Sequence, residues 1–247
     1  MEILHVVILS VVEGITEFLP VSSTGHLILT SKLLGIATTE FLKTFEIAIQ
    51  LGAIMAVVVL YFKRFLDLEL DKKVLAAFLP TALVGFLLYP FIKGFLLGSS
   101  AVTLVSLFIG GLVLIFFKSE GKGLKIGFKE AILIGAFQSL SVIPGVSRAA
   151  ATIIGGLIVG LDRKKATEFS FLLAVPTMIA ATGYDLYKSA SLFSSTDFGF
   201  LAIGFALSFV FAAISVKFLI SYVANHDFRL FGVYRIVLAL LFWLLVR

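Results

Sequence analysis

Residues 12–27 read VEGITEFLPVSSTGHL. Two carboxylates four residues apart, a proline, four hydroxyls and a histidine interrupt a segment that is otherwise apolar. Proline lacks a backbone donor and disfavours helix at the residue before it. Ser22, Ser23 and Thr24 can each cap a helix that follows. The stretch therefore predicts a helix ending near FLP and a second, short helix starting at the serines. FQSLSVIPGVSR, residues 137–148, has the same form, with Ser147 as the cap. In lipid, broken backbone is tolerated only where it is buried in protein or lines a wet cavity. Residues 3–35 and 127–161 thus read as re-entrant helical hairpins that enter and leave on one side.

The rest of the chain supplies the membrane context. It has 247 residues, 60% of them hydrophobic and 14% charged, with a mean hydropathy of +1.12. A soluble domain is about 45–50% apolar and roughly 25% charged. The excess runs along the whole length, which predicts one integral membrane domain, residues 1–247. Six further runs are expected to span: about 45–62, 74–91, 101–117, 167–187, 198–223 and 230–246. Pro80 and Pro90 make the second of these the weakest. No ten-residue alternation of the barrel type occurs, so the class is an all-α polytopic membrane protein. The chain has no cysteine, which excludes disulfides and thiolate chemistry. The net charge of +5 lies mainly in loops and reflects topology, so no nucleic-acid partner is expected. The N-terminus has no basic n-region, and no signal cleavage is expected.

The two halves correspond. At an offset of 125, Glu13 falls on Gln138, Ser22 on Ser147 and Ser23 on Arg148; FEIAIQLG and FSFLLAVP align at 124. Each half (about 1–117 and 127–247) would hold one hairpin and three spans. Three is odd, so the second half must be inverted, an architecture that brings broken helices together near the midplane. The side of the N-terminus carries Lys32, Lys43, Lys93, Lys188 and Arg247. The other carries Lys63, Arg64, Lys72, Lys73, Lys118, Lys122, Lys125, Lys129, Arg163, Lys164, Lys165 and Arg229. The richer side is expected in the cytoplasm. The first hairpin would then open outward and the second inward.

Ionisable residues within a membrane segment are costly and mark function by default. Glu13 and Glu17, at i and i+4, share one helix face. Two such carboxylates should share a proton or a cation, and oxygen ligands suit Mg²⁺ or Ca²⁺. A helix N-terminus favours phosphate, and Arg148 adds a bidentate fork there. Gly145 allows close backbone approach, and Thr152 lies one turn along from Arg148. A structural Arg148–Glu17 ion pair is the plain alternative. Ser22, Ser23 and Thr24 act as caps or as binding and reacting hydroxyls. His26 is a base or nucleophile by its ordinary titration range, or a satisfied core residue. Gln50 and Asp185 support the site or only pack. Lys217 and Arg235 are expected to snorkel toward the cytoplasm. GLIVG, Gly156–Gly160, fits close helix packing.

EGITEFLPVSSTGH (13–26) and PGVSRAAAT (144–152) resemble the two signature motifs of the bacterial undecaprenyl-diphosphate phosphatases, the bacitracin-resistance protein family. FEIAIQLGAI and EFSFLLAVP are also similar, so the likeness covers nearly the whole chain. The second motif departs at Ala149, where the family commonly has serine. The resemblance implies loss of the terminal phosphate from a C55 isoprenoid diphosphate, which recycles the cell-wall lipid carrier, and bacitracin resistance on overproduction. It implies a divalent cation, here on Glu13 and Glu17. The family's functional residues fall on Glu13, Glu17, Ser23, His26, Ser147, Arg148 and Thr152. Ser22, Thr24 and Gly145 would help to bind the headgroup. Attack by Ser23, by His26, or by water activated by His26 stays open. The expected partners are a polyprenyl diphosphate lipid and membrane lipids, and a homodimer is allowed. The expected location is the bacterial inner membrane, with the active site open to the outer face. A transporter or lipid flippase on the same architecture is the alternative, though transport needs no adjacent Ser23 and His26.

Overall fold

The computed structural model describes residues 1–37, 39–91, 96, 99–118, 121–189 and 198–245. Among the described residues every regular element is helical. α1 (Ile3–Thr16) and α2 (Ser23–Leu33) flank the first break. α3 (Glu40–Leu60), a 3-10 turn (Phe62–Leu66), α4 (Leu68–Leu87), the turn α5 (Tyr89–Phe91) and α6 (Ser100–Phe116) follow. α7 (Phe128–Gln138), a 3-10 turn (Ser139–Val142) and α8 (Arg148–Ile158) flank the second break. α9 (Arg163–Ser189), α10 (Phe198–Val223) and α11 (Arg229–Leu245) complete the chain.

Both breaks fall where proline and serine place them, and they are built alike. Ser22 has φ 74° and ψ 93°, and Ser147 has φ 72° and ψ 114°. They are the non-glycine residues with positive φ among those described. Each hydroxyl accepts the N–H three residues on, from Gly25 at 3.4 Å and from Ala150 at 3.2 Å. A non-glycine residue held in that region costs on the order of 1–3 kcal/mol and persists only where its surroundings fix it. At Gly145, φ is +91° and a Cβ would lie 2.4 Å from the Thr103 carbonyl oxygen, so only glycine fits.

Among the described residues, three helices contain stretches long and apolar enough to cross a membrane: Phe41–Leu60, Arg163–Gly183 and Phe198–Val223. The other expected spans differ for visible reasons. α4 opens on Glu69, Asp71, Lys72 and Lys73, while α6 and α11 are each 17 residues long. α4 continues through Pro80, and α9 continues through Pro176. Lys93 and Arg247, and the side chains of Asp185 and Lys188, lie outside the described residues.

Lipid gives little hydrophobic drive between helices, so close packing over small residues must hold them. α1 and α3 pack on α10, α4 on α7, α8 on α9 and α6 on α11. A Cβ on Gly14 would lie 2.7 Å from the Ser208 carbonyl oxygen, and one on Gly52 would lie 2.2 Å from the Ser208 hydroxyl. A Cβ on Gly135 would strike the Ala77 carbonyl. Within GLIVG the expectation is half met. Gly156 sits tightly on Ala166, but Gly160, at φ +96°, turns the chain after α8. The main apolar core runs between the breaks, from Phe18 through Ile153 to Phe171 and Leu173. Leu79, Phe86, Phe116 and Leu244 face outward, as lipid-facing positions do.

At one end, loops assigned from sequence to the same side are bonded together. Arg64 pairs with Glu168 at 3.4 Å, and the Lys165 ammonium donates to the Gly123 carbonyl at 2.9 Å. The backbone of Lys122 and Leu124 donates to the Gly160 carbonyl.

Candidate active site

The start of α8 points Arg148 at the break that follows α1. Its guanidinium donates to Glu17 Oε1 at 3.0 Å and to the Ser170 carbonyl at 3.1 Å. The other Glu17 oxygen accepts the hydroxyl of Ser23. Arg148, Glu17 and Ser23 thus form one chain that joins the two breaks across 131 residues of sequence. The guanidinium also lies 5.7 Å from the centre of the Phe18 ring. The Arg148 and Glu17 side chains are only 10% and 7% exposed. Arg148 Nε is buried and has no partner, so a donor remains free in the site.

Beside this chain lies a cavity of about 230 Å³. Glu17, Ser22, Ser23, Thr24 and Gln50 line it from the first half; Ser141, Gly145, Ser147 and Arg148 line it from the second. Ser147 caps α8 beneath it. Thr152 stands behind it, where its hydroxyl bonds that of Ser170 at 2.6 Å and so steadies the residue that receives Arg148.

Glu13 and His26 are placed differently. Glu13 is fully buried, and neither of its oxygens has a hydrogen-bond partner. A carboxylate cannot be held bare at such a place; it needs a proton or a cation. His26 does not line the cavity. Its Nδ1 lies 2.8 Å from the Ser22 carbonyl, and its Nε2 lies 2.7 Å from the Tyr234 hydroxyl.

Arg235 corrects the expectation of a snorkelling side chain. It is fully buried, because five backbone carbonyls turned toward it satisfy its donors. Lys217 is exposed. Gln138, aligned with Glu13, makes neutral bonds to Thr81 at 2.9 Å and Thr177 at 3.0 Å. At the position aligned with Glu13, the second half of the sequence thus carries an uncharged side chain. Sequence reasoning passed over Ser170 and Glu46, although the aligned stretches FEIAIQLG and FSFLLAVP set them opposite each other. Glu46, on α3, is the further carboxylate near Glu13.

The family model described as bacitracin resistance protein BacA matches residues 6–241. The chain belongs to the bacitracin resistance protein BacA family. Among its relatives, a protein of Aquifex aeolicus named undecaprenyl-diphosphatase is 53% identical over 244 residues, 96% of this chain and 95% of that one. One of Persephonella marina with the same name is 52% identical over the full length of both chains. One of Thermus thermophilus, again so named, is 49% identical over 94% of this chain and 93% of its own. Both breaks lie inside the matched residues, so the motifs at Glu13–His26 and Pro144–Thr152 sit within the family's body.

Proposed function

We propose that this protein is an undecaprenyl-diphosphatase, a hydrolase that releases the terminal phosphate of undecaprenyl diphosphate and returns undecaprenyl phosphate to cell-wall synthesis. The family and the names of its relatives support hydrolysis and bacitracin resistance over transport. The observation that carries the reading is the Arg148–Glu17–Ser23 chain beside a polar cavity. Phosphoryl transfer needs positioning and charge neutralisation more than covalent chemistry. Arg148 holds the terminal phosphate, together with the N-terminus of α8. Ser23 already donates to Glu17, so Glu17 can take its proton as Ser23 Oγ attacks phosphorus. The bond from that phosphorus to the bridging oxygen breaks, and the lipid phosphate leaves. Water then attacks the phosphoserine, Glu17 returns a proton to Ser23, and inorganic phosphate departs. Both nitrogens of His26 are already bonded, to the Ser22 carbonyl and the Tyr234 hydroxyl, and the residue does not line the cavity, which favours Ser23 over His26 as the nucleophile.

Glu13 fits a divalent cation, since its two buried oxygens lack any other partner. Among the described residues no three His, Cys, Asp or Glu side chains converge as a metal site. Glu13 and Glu17 would therefore hold Mg²⁺ or Ca²⁺ with waters and phosphate oxygens completing the shell. Bound there, the ion would supply positive charge against the diphosphate. Phosphate release from a polyprenyl diphosphate by the pure protein in detergent tests both points. Turnover is expected, and EDTA should reduce it at least about tenfold if a cation neutralises charge in the transition state. No turnover in any metal sinks the enzyme reading, and turnover indifferent to EDTA sinks the cation.

The same reading takes the chain as one membrane domain of the bacterial inner membrane, with six spans, two re-entrant hairpins and an inverted repeat. The matched strained caps at Ser22 and Ser147 support the repeat. The bonded basic loops support a common cytoplasmic side for them. The cavity would then open outward through the first hairpin. Thr24 lines the cavity, and the chain has no cysteine. In cells with a permeable outer membrane, an impermeant thiol reagent should label Thr24→Cys, and a diphosphate substrate should protect it. Labelling confined to inside-out vesicles would reverse the orientation.

A further inference from the structure

We propose that Tyr234 and Arg235, neighbours on α11, are positioning residues that lock the two helix breaks against each other; as a claim about turnover this rests on the phosphatase reading. Arg235 Nη1 donates to the Pro20 carbonyl at 3.3 Å and to that of Val146 at 3.0 Å. Nη2 donates to the Gly145 carbonyl at 2.6 Å and to that of Ser106 at 3.1 Å, and Nε donates to that of Leu107 at 3.3 Å. Pro20 lies two residues before the cap Ser22, and Gly145 and Val146 immediately precede the cap Ser147. One planar guanidinium thus fixes the backbone of both breaks and ties them to α6. The carbonyls it takes at the breaks are ones that an interrupted helix leaves without a partner.

Tyr234 reaches the first break by another route. The Ser22 carbonyl can only accept, so His26 Nδ1 must carry the proton that bonds it. In the neutral ring Nε2 then accepts, and the Tyr234 hydroxyl donates. The two rings lie parallel, with centres 5.6 Å apart. The chain from Tyr234 through His26 ends on the strained residue next to Ser23. Secondary partners of this kind set the orientation of the groups that touch the substrate.

α6 is cut to admit the arginine. A Cβ on Gly110 would lie 2.2 Å from Arg235 Nη2, and one on Gly111 would lie 2.8 Å from the Gly232 carbonyl of α11. Gly110 touches neither the cavity nor the reacting groups, so it offers a way to shift the guanidinium without removing it.

The experiment uses the full chain in detergent and compares Tyr234→Phe, Arg235→Lys and Gly110→Ala. Gly85→Ala is the control, since a Cβ there meets nothing within 4 Å. Phenylalanine keeps the ring and loses only the donor. Lysine keeps the charge but has three donors rather than the five of a fixed fork. Each of the three variants should lose about 10- to 100-fold in kcat, keep its KM and still unfold cooperatively. The labelling rate of a cysteine at Thr24 reads the break geometry without any turnover. It should change in the three variants and not in Gly85→Ala. Unchanged kcat and labelling in Tyr234→Phe, or kcat, KM and unfolding temperature falling together in all three, would overturn the clamp. A labelling change in a protein that releases no phosphate would instead retire the phosphatase reading and leave the clamp standing.

Discussion

Arg148→Ala should abolish phosphate release, with a loss of at least about 10³-fold, the range reported for arginines that neutralise a phosphoryl transition state. The guanidinium bonds Glu17 at 3.0 Å and the Ser170 carbonyl at 3.1 Å, and its Nε remains free within the buried site. It is therefore fixed before substrate arrives, and its orientation costs nothing at the moment of reaction. Alanine also leaves Glu17 buried without its counter-charge, which costs on the order of 3–5 kcal/mol of stability. A lost activity could then be a lost fold. The double variant Arg148→Ala with Glu17→Gln separates the two, because it removes the stranded charge. It should unfold at a temperature nearer that of the unmodified protein and stay inactive. Arg148→Lys is the sharper test. One ammonium cannot hold Glu17, the Ser170 carbonyl and a phosphate in one plane, so turnover should remain low. Near-normal kcat in Arg148→Lys would show that only a point charge is needed at the start of α8.

What the sequence revealed and what it hid divide along a physical line. The breaks were legible because proline and serine act locally: each removes or satisfies a backbone bond within three or four residues. The offset of 125 then aligned Ser22 with Ser147, and the structure holds both at nearly the same φ. The Arg148–Glu17 contact was legible because an unpaired charge in an apolar segment must find its opposite. Arg235 was not. Its partners are five carbonyls, present in every residue type, and nothing in the chain marks those of Pro20 or Gly145 as turned inward. The five bonds span 89 to 215 residues of sequence, which no local pattern reports. Position near a helix end suggested a route to water, but burial against unpaired carbonyls took its place. The contacts of His26 were hidden for a related reason. Its proximity in sequence to Ser23 suggested joint chemistry. Three residues on along α2 its ring faces α11, with Nε2 against the Tyr234 hydroxyl and Nδ1 against the Ser22 carbonyl. Glu46 and Ser170 were within reach, since the aligned stretches place them opposite each other.

Glu17→Gln removes the proton acceptor of the proposed mechanism and leaves Glu13 as the charged ligand for the cation. Glutamine matches the carboxylate in shape, and its amide oxygen can still accept either the guanidinium of Arg148 or the hydroxyl of Ser23. Its amide nitrogen can only donate, so one of the two bonds is lost, and no orientation of the side chain restores a base. Substrate binding through Arg148 and the α8 N-terminus should survive, so KM should move little while kcat falls by about 10²- to 10⁴-fold, the usual contribution of a positioned base. Ser23→Ala should fall as far, because the serine is the atom that the base serves. The two losses should not add. Once Ser23 is gone, Glu17→Gln has no serine proton left to forgo, and groups acting in one step behave as a unit. The measurement is kcat and KM for both single variants and the double, with unfolding temperature recorded for each. Ser23→Ala retaining more than about a tenth of the rate would make water the nucleophile and Ser23 a guide for Glu17. Losses that multiply in the double variant would mean that the two residues serve separate steps, and the hydrogen bond from Ser23 to Glu17 would then be structural.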